Sequence, residues 1–279
     1  MKNYLLMGFA ALVAISCADA DTDVVENTNL SGHNLHTVTR KVGDVTLKMF
    51  EFTDNKMITE TLYSGGGVDD SYVYTYNAIG DLLTMVGTRG DGYVFFEREL
   101  VYDTQHRLTE IKDTSYNDIM EQVTHQNSTI TYNDVNNTVT AQYGFELQSG
   151  PRVFHFNNNG FVSAVETGND TIALTYDGNN ITQWNQLNFT YDTTTPVKGE
   201  YLNMYRNQFK SYVNFIVYWA FPVPTIASSN YITSINEQPG TIGDLNYTYE
   251  FDANGYPTVV HEAPTSYESN VVDVYINYN

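Results

Sequence analysis

Tyr76-Asn77-Ala78-Ile79-Gly80-Asp81-Leu82-Leu83 decides how this chain folds. An Asn or Asp side chain hydrogen-bonds its own backbone two residues on, and Gly supplies the positive φ that most residues avoid, so Asn77 and Gly80 together close a tight turn. Upstream, Tyr72, Tyr74 and Tyr76 alternate with Val73 and Thr75, which places the three tyrosines on one face of a strand. Downstream, Leu82 and Leu83 open the return strand. The unit is a β-hairpin.

The phrase comes back along the chain. It stands as Tyr102-Asp103 before Leu108, Phe156-Asn157 with Gly160 before Phe161, and Phe251-Asp252 with Gly255 before Tyr256. Degenerate copies are Phe52-Thr53-Asp54, Tyr132-Asn133, Tyr176-Asp177-Gly178 and Tyr191-Asp192. The intervals 76 to 102, 102 to 132, 132 to 156 and 156 to 176 are 26, 30, 24 and 20 residues, which suits two strands and two connections per unit. Unequal intervals predict an all-β antiparallel meander of unequal hairpins, forming a curved sheet or a barrel-like structure, open or closed. Residues 36–279 read as one such domain, since no Pro-, Gly- or Ser-rich linker divides them.

One segment breaks the rhythm. Leu202, Tyr205, Phe209, Tyr212, Ile216 and Trp219 recur at three and four residues, which is helical spacing. A short helical insertion over residues 200–221 is expected, ended by Pro222 and Pro224.

The first 16 residues read as a signal peptide, with Lys2 as the positive end and Tyr4 to Ile15 as the apolar stretch, too short to span a bilayer. Cys17 is the chain's one cysteine and follows directly. Ala14-Ile15-Ser16-Cys17 resembles a lipobox, with Ala14 where that pattern usually has Leu, and a lipidated Cys17 would anchor the mature chain in the outer membrane. Ala18-Asp19-Ala20 fits the cleavage site of an ordinary secreted or periplasmic protein as the alternative. Residues 17–35 then form an acidic tether. Asp19, Asp21 and Asp23 have the spacing of a calcium loop, but Val24 and Leu30 stand where such a loop needs Gly and Glu.

The phrases Tyr76-Asn77-Ala78-Ile79-Gly80-Asp81-Leu82 and Phe251-Asp252-Ala253-Asn254-Gly255-Tyr256 resemble degenerate YD (RHS-like) repeats. With the lipoprotein signal and the single helical insertion, the whole mature chain resembles a group of Bacteroidetes-type surface lipoproteins of unknown function with a porin-like β fold. The acidic stretch after Cys17 likewise resembles the surface-export signal of such lipoproteins. The resemblance implies fold and location and carries over no catalytic residue. Two units depart from the pattern: Tyr132-Asn133-Asp134-Val135-Asn136 lacks the turn Gly, and Gln105-His106-Arg107 replaces it in the unit after Tyr102.

Charge narrows the partners. Thirteen Lys and Arg against 33 Asp and Glu give a formal net charge of −20, so nucleic acid, which needs a basic footprint, is not an expected partner. The β-type runs, most of about five to seven residues, are shorter than the roughly 9 to 11 that a membrane-spanning strand needs. No metal ligand set or cofactor motif is expected: His33 and His36 lie in or beside the tether, His106 in a turn, and His125, His155 and His261 apart in β-type sequence. No catalytic constellation is assigned. Arg89-Gly90-Asp91-Gly92 spells an adhesion tripeptide and reads as a hairpin turn. Asp170-Thr171-Ile172 and Asp192-Thr193-Thr194 resemble acceptor sites for O-glycosylation. Trp184 and Trp219 are the candidate ligand-binding residues, because aromatic faces stack on sugars. The expected function is a lipid-anchored binding or structural scaffold, its partner an extracellular glycan or an envelope protein. A glycan-processing enzyme or accessory subunit of a polysaccharide-uptake system is the alternative.

Overall fold

The computed structural model describes residues 33–144, 150–158, 160–184, 187–196, 198, 230–236, 244–264 and 271–279. Eighteen strands follow one another: β1 (Leu35–Val42), β2 (Val45–Thr53), β3 (Lys56–Ser64), β4 (Gly67–Tyr76), β5 (Leu82–Arg89), β6 (Val94–Tyr102), β7 (Leu108–Asn117), β8 (Gln122–Asn133), β9 (Thr138–Gln142), β10 (Arg152–Phe156), β11 (Val162–Thr167), β12 (Asp170–Asp177), β13 (Asn180–Trp184), β14 (Leu187–Pro196), β15 (Asn230–Asn236), β16 (Leu245–Phe251), β17 (Pro257–Pro264) and β18 (Val272–Tyr278). Each pairs antiparallel with the next, and β18 pairs antiparallel with β1, so the meander is a closed barrel. Among the described residues there is no helix. The helix expected over residues 200–221 lies outside them.

The four phrases at Asn77, Asp103, Asn157 and Asp252 build the same turn at one end of the barrel. The Oδ1 atoms of Asn77, Asp103 and Asp252 each accept backbone N–H groups two and four residues on, at 2.8 to 3.1 Å. The fourth residue of the turn has positive φ: Gly80 at 96°, Gly160 at 77°, Gly255 at 78° and His106 at 60°. His106 therefore fills the Gly position without changing the turn, at the conformational cost a side chain carries there.

Beyond the turn the return strand holds one extra residue. Tyr76 faces Leu82 while Thr75 faces Thr84, so Leu83 is a β-bulge. Ile58, Thr109, Ser163, Thr182, Thr233 and Thr258 occupy the same position in their units. The bulge restores the pleat one residue late, so inward apolar residues stand three apart: Leu82 and Met85, Leu108 and Ile111, Val162 and Val165, Ile232 and Ile235, all buried. Between β8 and β9 the register has no shift, and there the inward pair, Val139 and Ala141, stands two apart.

Tyrosine hydroxyls stitch the units together. Tyr76 donates to the Met57 carbonyl (2.8 Å), Tyr102 to Leu82 (2.8 Å), Tyr132 to Leu108 (2.8 Å), Tyr176 to Val162 (2.6 Å), Tyr191 to Ile181 (2.6 Å), Tyr249 to Ile232 (2.8 Å) and Tyr278 to Pro257 (3.0 Å). Every acceptor is the first inward residue of the preceding odd strand, where the bulge interrupts the ladder. The rings pack against the buried apolar residues. Burial pushes the Tyr176 and Tyr249 phenols far up, so both remain proton donors.

The barrel closes with a phrase divided between the chain's two ends. Asn279 N donates to Asn34 O at 2.8 Å, as Asn77 N donates to Asp81 O and Asp103 N to Arg107 O at 2.9 Å. Tyr278 faces Leu35 and Asn277 faces Thr37, which makes His36 the bulge residue. His33 stacks on Tyr256 at 4.1 Å, and Leu35 N donates to Asn55 Oδ1 at 2.8 Å. Two strands per phrase and 18 strands make nine phrases around the ring.

Candidate functional site

Side chains converge on the concave side of a closed sheet and diverge on the convex side, so the buried face lines the interior. It carries aromatic rings above the turns, and one layer further along it carries charge. On β6, Leu100 and Tyr102 share this face with Arg98, whose Nε and Nη2 donate to Asp113 Oδ1 and Oδ2 at 2.6 and 2.7 Å. Both side chains are close to 10% exposed (11% and 8%). Lys48 Nζ reaches Glu60 Oε1 at 2.6 Å, and the Tyr74 hydroxyl donates to Glu60 Oε2 at 2.8 Å. Arg40 on β1 reaches past β18 to Glu262 on β17 at 2.5 Å. Burial raises the Glu262 pKa while Arg40 opposes the shift. Arg152 lies over the Tyr143 ring, 4.9 Å from its centroid.

These carboxylates are acceptors held by fixed cations. The arrangement is a ring wall of apolar and aromatic surface with matched charges set into it, suited to stacking and hydrogen bonding. Trp184 lies on this wall, facing Leu174 and Leu187, half-buried and packed against the apolar cluster. Trp219 and Cys17 lie outside the described residues.

The outer face is of opposite character. Glu97, Glu99, Glu110, Lys112, His155, Glu166, Glu250, His261 and Asp273 project from it, with threonines between them; Thr75 and Thr84 bond each other at 2.6 Å, and Thr175 and Thr182 at 2.9 Å. Histidines here clip strands together. His261 Nδ1 lies 2.7 Å from Asp273 Oδ1 and its Nε2 lies 3.2 Å from Glu250 Oε1; Lys41 is the register partner of Asp273. His155 meets Glu166 at 2.9 Å, and His125 Nδ1 meets the Thr114 hydroxyl at 3.1 Å. No group of three metal-ligating side chains occurs among the described residues.

The Asp273 hydrogen bond, with help from Glu250, raises the His261 pKa above its ordinary 6.5. A raised histidine contributes stability that is complete below the unfolded pKa and is lost as pH rises through the folded one. His261→Gln is therefore expected to lower the unfolding free energy at pH 6 and to change it little at pH 9. The loss stays within about 1 kcal/mol because the pair is partly exposed; thermal melts at the two pH values check it, and an equal loss at both would contradict it.

One sequence reading changes. Strands run from five to twelve residues, and β6, β7 and β8 have nine, ten and twelve, longer than expected because the ladders continue through polar residues into the far turns. Length therefore does not separate this barrel from a membrane-spanning one. Arg89-Gly90-Asp91-Gly92 is the β5–β6 turn, with Gly92 N donating to Arg89 O at 2.8 Å. Arg89 is engaged there by Asp118 at 2.6 Å and Asp91 at 3.1 Å.

No protein-family model matches the chain, and no curated protein matches it. Among solved structures it is similar to a porin-like protein from Bacteroides vulgatus ATCC 8482, with 10% identity, a TM-score of 0.41, and 88% of this chain and 99% of that one covered. A porin-like protein from Bacteroides uniformis ATCC 8492 gives 11% identity and a TM-score of 0.27, over 89% and 98% of the two chains. The TcdB2-TccC3-Cdc42 structure gives 12% identity and a TM-score of 0.34, over 85% of this chain and 14% of that one.

Proposed function

We propose that this chain is an exported envelope protein, held at the outer membrane by lipid on Cys17, whose barrel stands in water as a non-enzymatic binding or structural scaffold. The observation that carries this reading is the orientation of the wall: the inner face is apolar and aromatic with its carboxylates paired to Arg98, Lys48 and Arg40, while the outer face carries exposed carboxylates, histidines and threonines. A barrel of that polarity is built for an aqueous surround. The apolar stretch ahead of Cys17 and the acidic residues after it support export and tethering. The inner aromatics, Trp184 among them, are the surface for an extracellular glycan or an envelope protein.

Fractionation of cells carrying the full chain or its Cys17→Ala variant tests this. The unaltered protein is expected in the membrane fraction, released by detergent, and the variant in the soluble fraction. A variant that stays in membranes until detergent is added would sink the reading, because the barrel itself would then be the membrane-bound part.

A further inference from the structure

The longest described hairpin of the barrel stands above its rim. β7 and β8 stay paired up to Asn117–Gln122, whereas β6 accompanies β7 only to Phe96–Ser115, and the ladder of β9 accompanies β8 only to Gln142–Thr129. Past those points both faces of the hairpin are in water: Ser115 and Thr124 on the inner side are exposed, as are Val123 and His125 on the outer. Asn117, Asp118, Ile119, Met120 and Glu121 make its tip, at the end of the barrel opposite the phrase turns.

This tip breaks the rule that its neighbours keep. The other described turns at the same end are Gly43-Asp44, Gly65-Gly66, Gly90-Asp91-Gly92 and Gly168-Asn169, all small or polar. Here Ile119 is 89% exposed and Met120 70%, with Val123 next on β8 at 51%. Apolar side chains of that size gain nothing from folding when they stay in water.

The knob is braced. Arg89 in the β5–β6 turn donates to Asp118 from both Nη atoms, at 2.6 and 3.3 Å, and the Tyr116 hydroxyl donates to Glu97 at 2.6 Å. Asn117 Oδ1 accepts the Met120 N–H at 3.0 Å, which fixes the tip backbone. The Arg89 turn is itself seated on β4, where Gly90 N donates to the Asp69 carbonyl at 2.7 Å and a Cβ at Gly90 would run into the Val68 carbonyl oxygen. Apolar surface presented on such a support loses little freedom when a partner covers it.

We propose that Ile119 and Met120 form a docking knob for another protein, one that offers an apolar socket edged with lysine or arginine. Charge selects the occupant. Asp118 and Glu121 flank the knob and Asp91 stands on the adjoining turn, so three carboxylates face the single guanidinium of Arg89, on a chain of net charge −20. A bilayer would have to admit Asp118 and Glu121 along with the knob, at high cost. A second copy is as acidic as the first. Basic groups around an apolar socket answer both features at once. This surface is separate from the inner wall and does not require lipid on Cys17.

Photo-crosslinking in the cells that make the full chain tests the proposal, with benzoylphenylalanine placed at position 120 and, as control, at Val135, which is 95% exposed at the opposite end. An adduct with one other protein is expected from position 120, and none with that protein from position 135. Once purified, that partner is expected to bind the unaltered chain and to bind Ile119→Asp about thirtyfold more weakly. It should also bind Glu121→Lys more weakly, by a margin that shrinks as salt is raised. Ile119 and Glu121 are both exposed, so neither variant should move the thermal melt, and lost docking is thereby told from lost fold. No adduct from position 120, an adduct only with lipid or with a second copy, the same adduct from position 135, or binding indifferent to Ile119→Asp would each overturn the proposal.

Discussion

Asp113→Ala is expected to destabilise the barrel by about 3–5 kcal/mol, the largest effect of any single charge removal described above. Asp113 sits on the inner face of β7 opposite Arg98, and it takes both ends of the guanidinium fork at 2.6 and 2.7 Å. Leu100 and Ile111 lie beside the pair, and Phe96 lies under the guanidinium with its centroid at 5.3 Å. Water has little access to either side chain. Removing the carboxylate leaves a cation in that surround, and an arginine cannot shed its charge. Replacing both partners, as Arg98→Met with Asp113→Leu, removes the two desolvation terms together and is expected to be near neutral or stabilising. Urea unfolding of the three proteins checks this; a loss below about 1 kcal/mol in Asp113→Ala would mean that water reaches the pair.

The second large effect concerns the seam between β18 and β1. Thr37 and Asn277 are register partners on its outer face, and the Asn277 amide already donates to the Thr37 hydroxyl at 2.9 Å. A disulfide at Thr37→Cys with Asn277→Cys closes a loop of 277 − 37 = 240 residues. In the chain-entropy account such a loop stabilises by roughly 5 kcal/mol, reduced by any strain in the bond. The same bridge in an unclosed sheet would have to draw two separate edges together. Chemical unfolding with and without reductant measures the difference.

How far the sequence disclosed this architecture depends on the element. The turn phrases were legible because Asn77, Asp252 and their glycines have one economical conformation, and from them followed the all-β class and most strands. The bulges were not legible as such: Leu82 and Met85, three apart, break a period of two, and only the repetition of that break in Leu108 and Ile111, or Val162 and Val165, gives it meaning. His106 departs from the Gly pattern in sequence but keeps the turn, because it adopts a positive φ of 60°. Closure was left open because half of the closing phrase, Tyr278-Asn279, lies at one end of the chain and the other half, Asn34-Leu35, near the opposite end. The interior ion pairs lay hidden for a similar reason. Arg40 and Glu262 are 222 positions apart, and which acids face inward depends on register that the bulges shift. Trp184 was singled out as an aromatic; its place on the inner wall follows from its pairing with Leu174 and Leu187.

The central claim is that the two ends of the chain complete one phrase and so close the ring. In a Cys17→Ala background carrying Thr37→Cys and Asn277→Cys, mild oxidation of dilute protein followed by proteolysis and mass spectrometry reads this directly. The account predicts a monomer in which residues 37 and 277 are joined within one chain. Free thiols, or links only between chains, would contradict it.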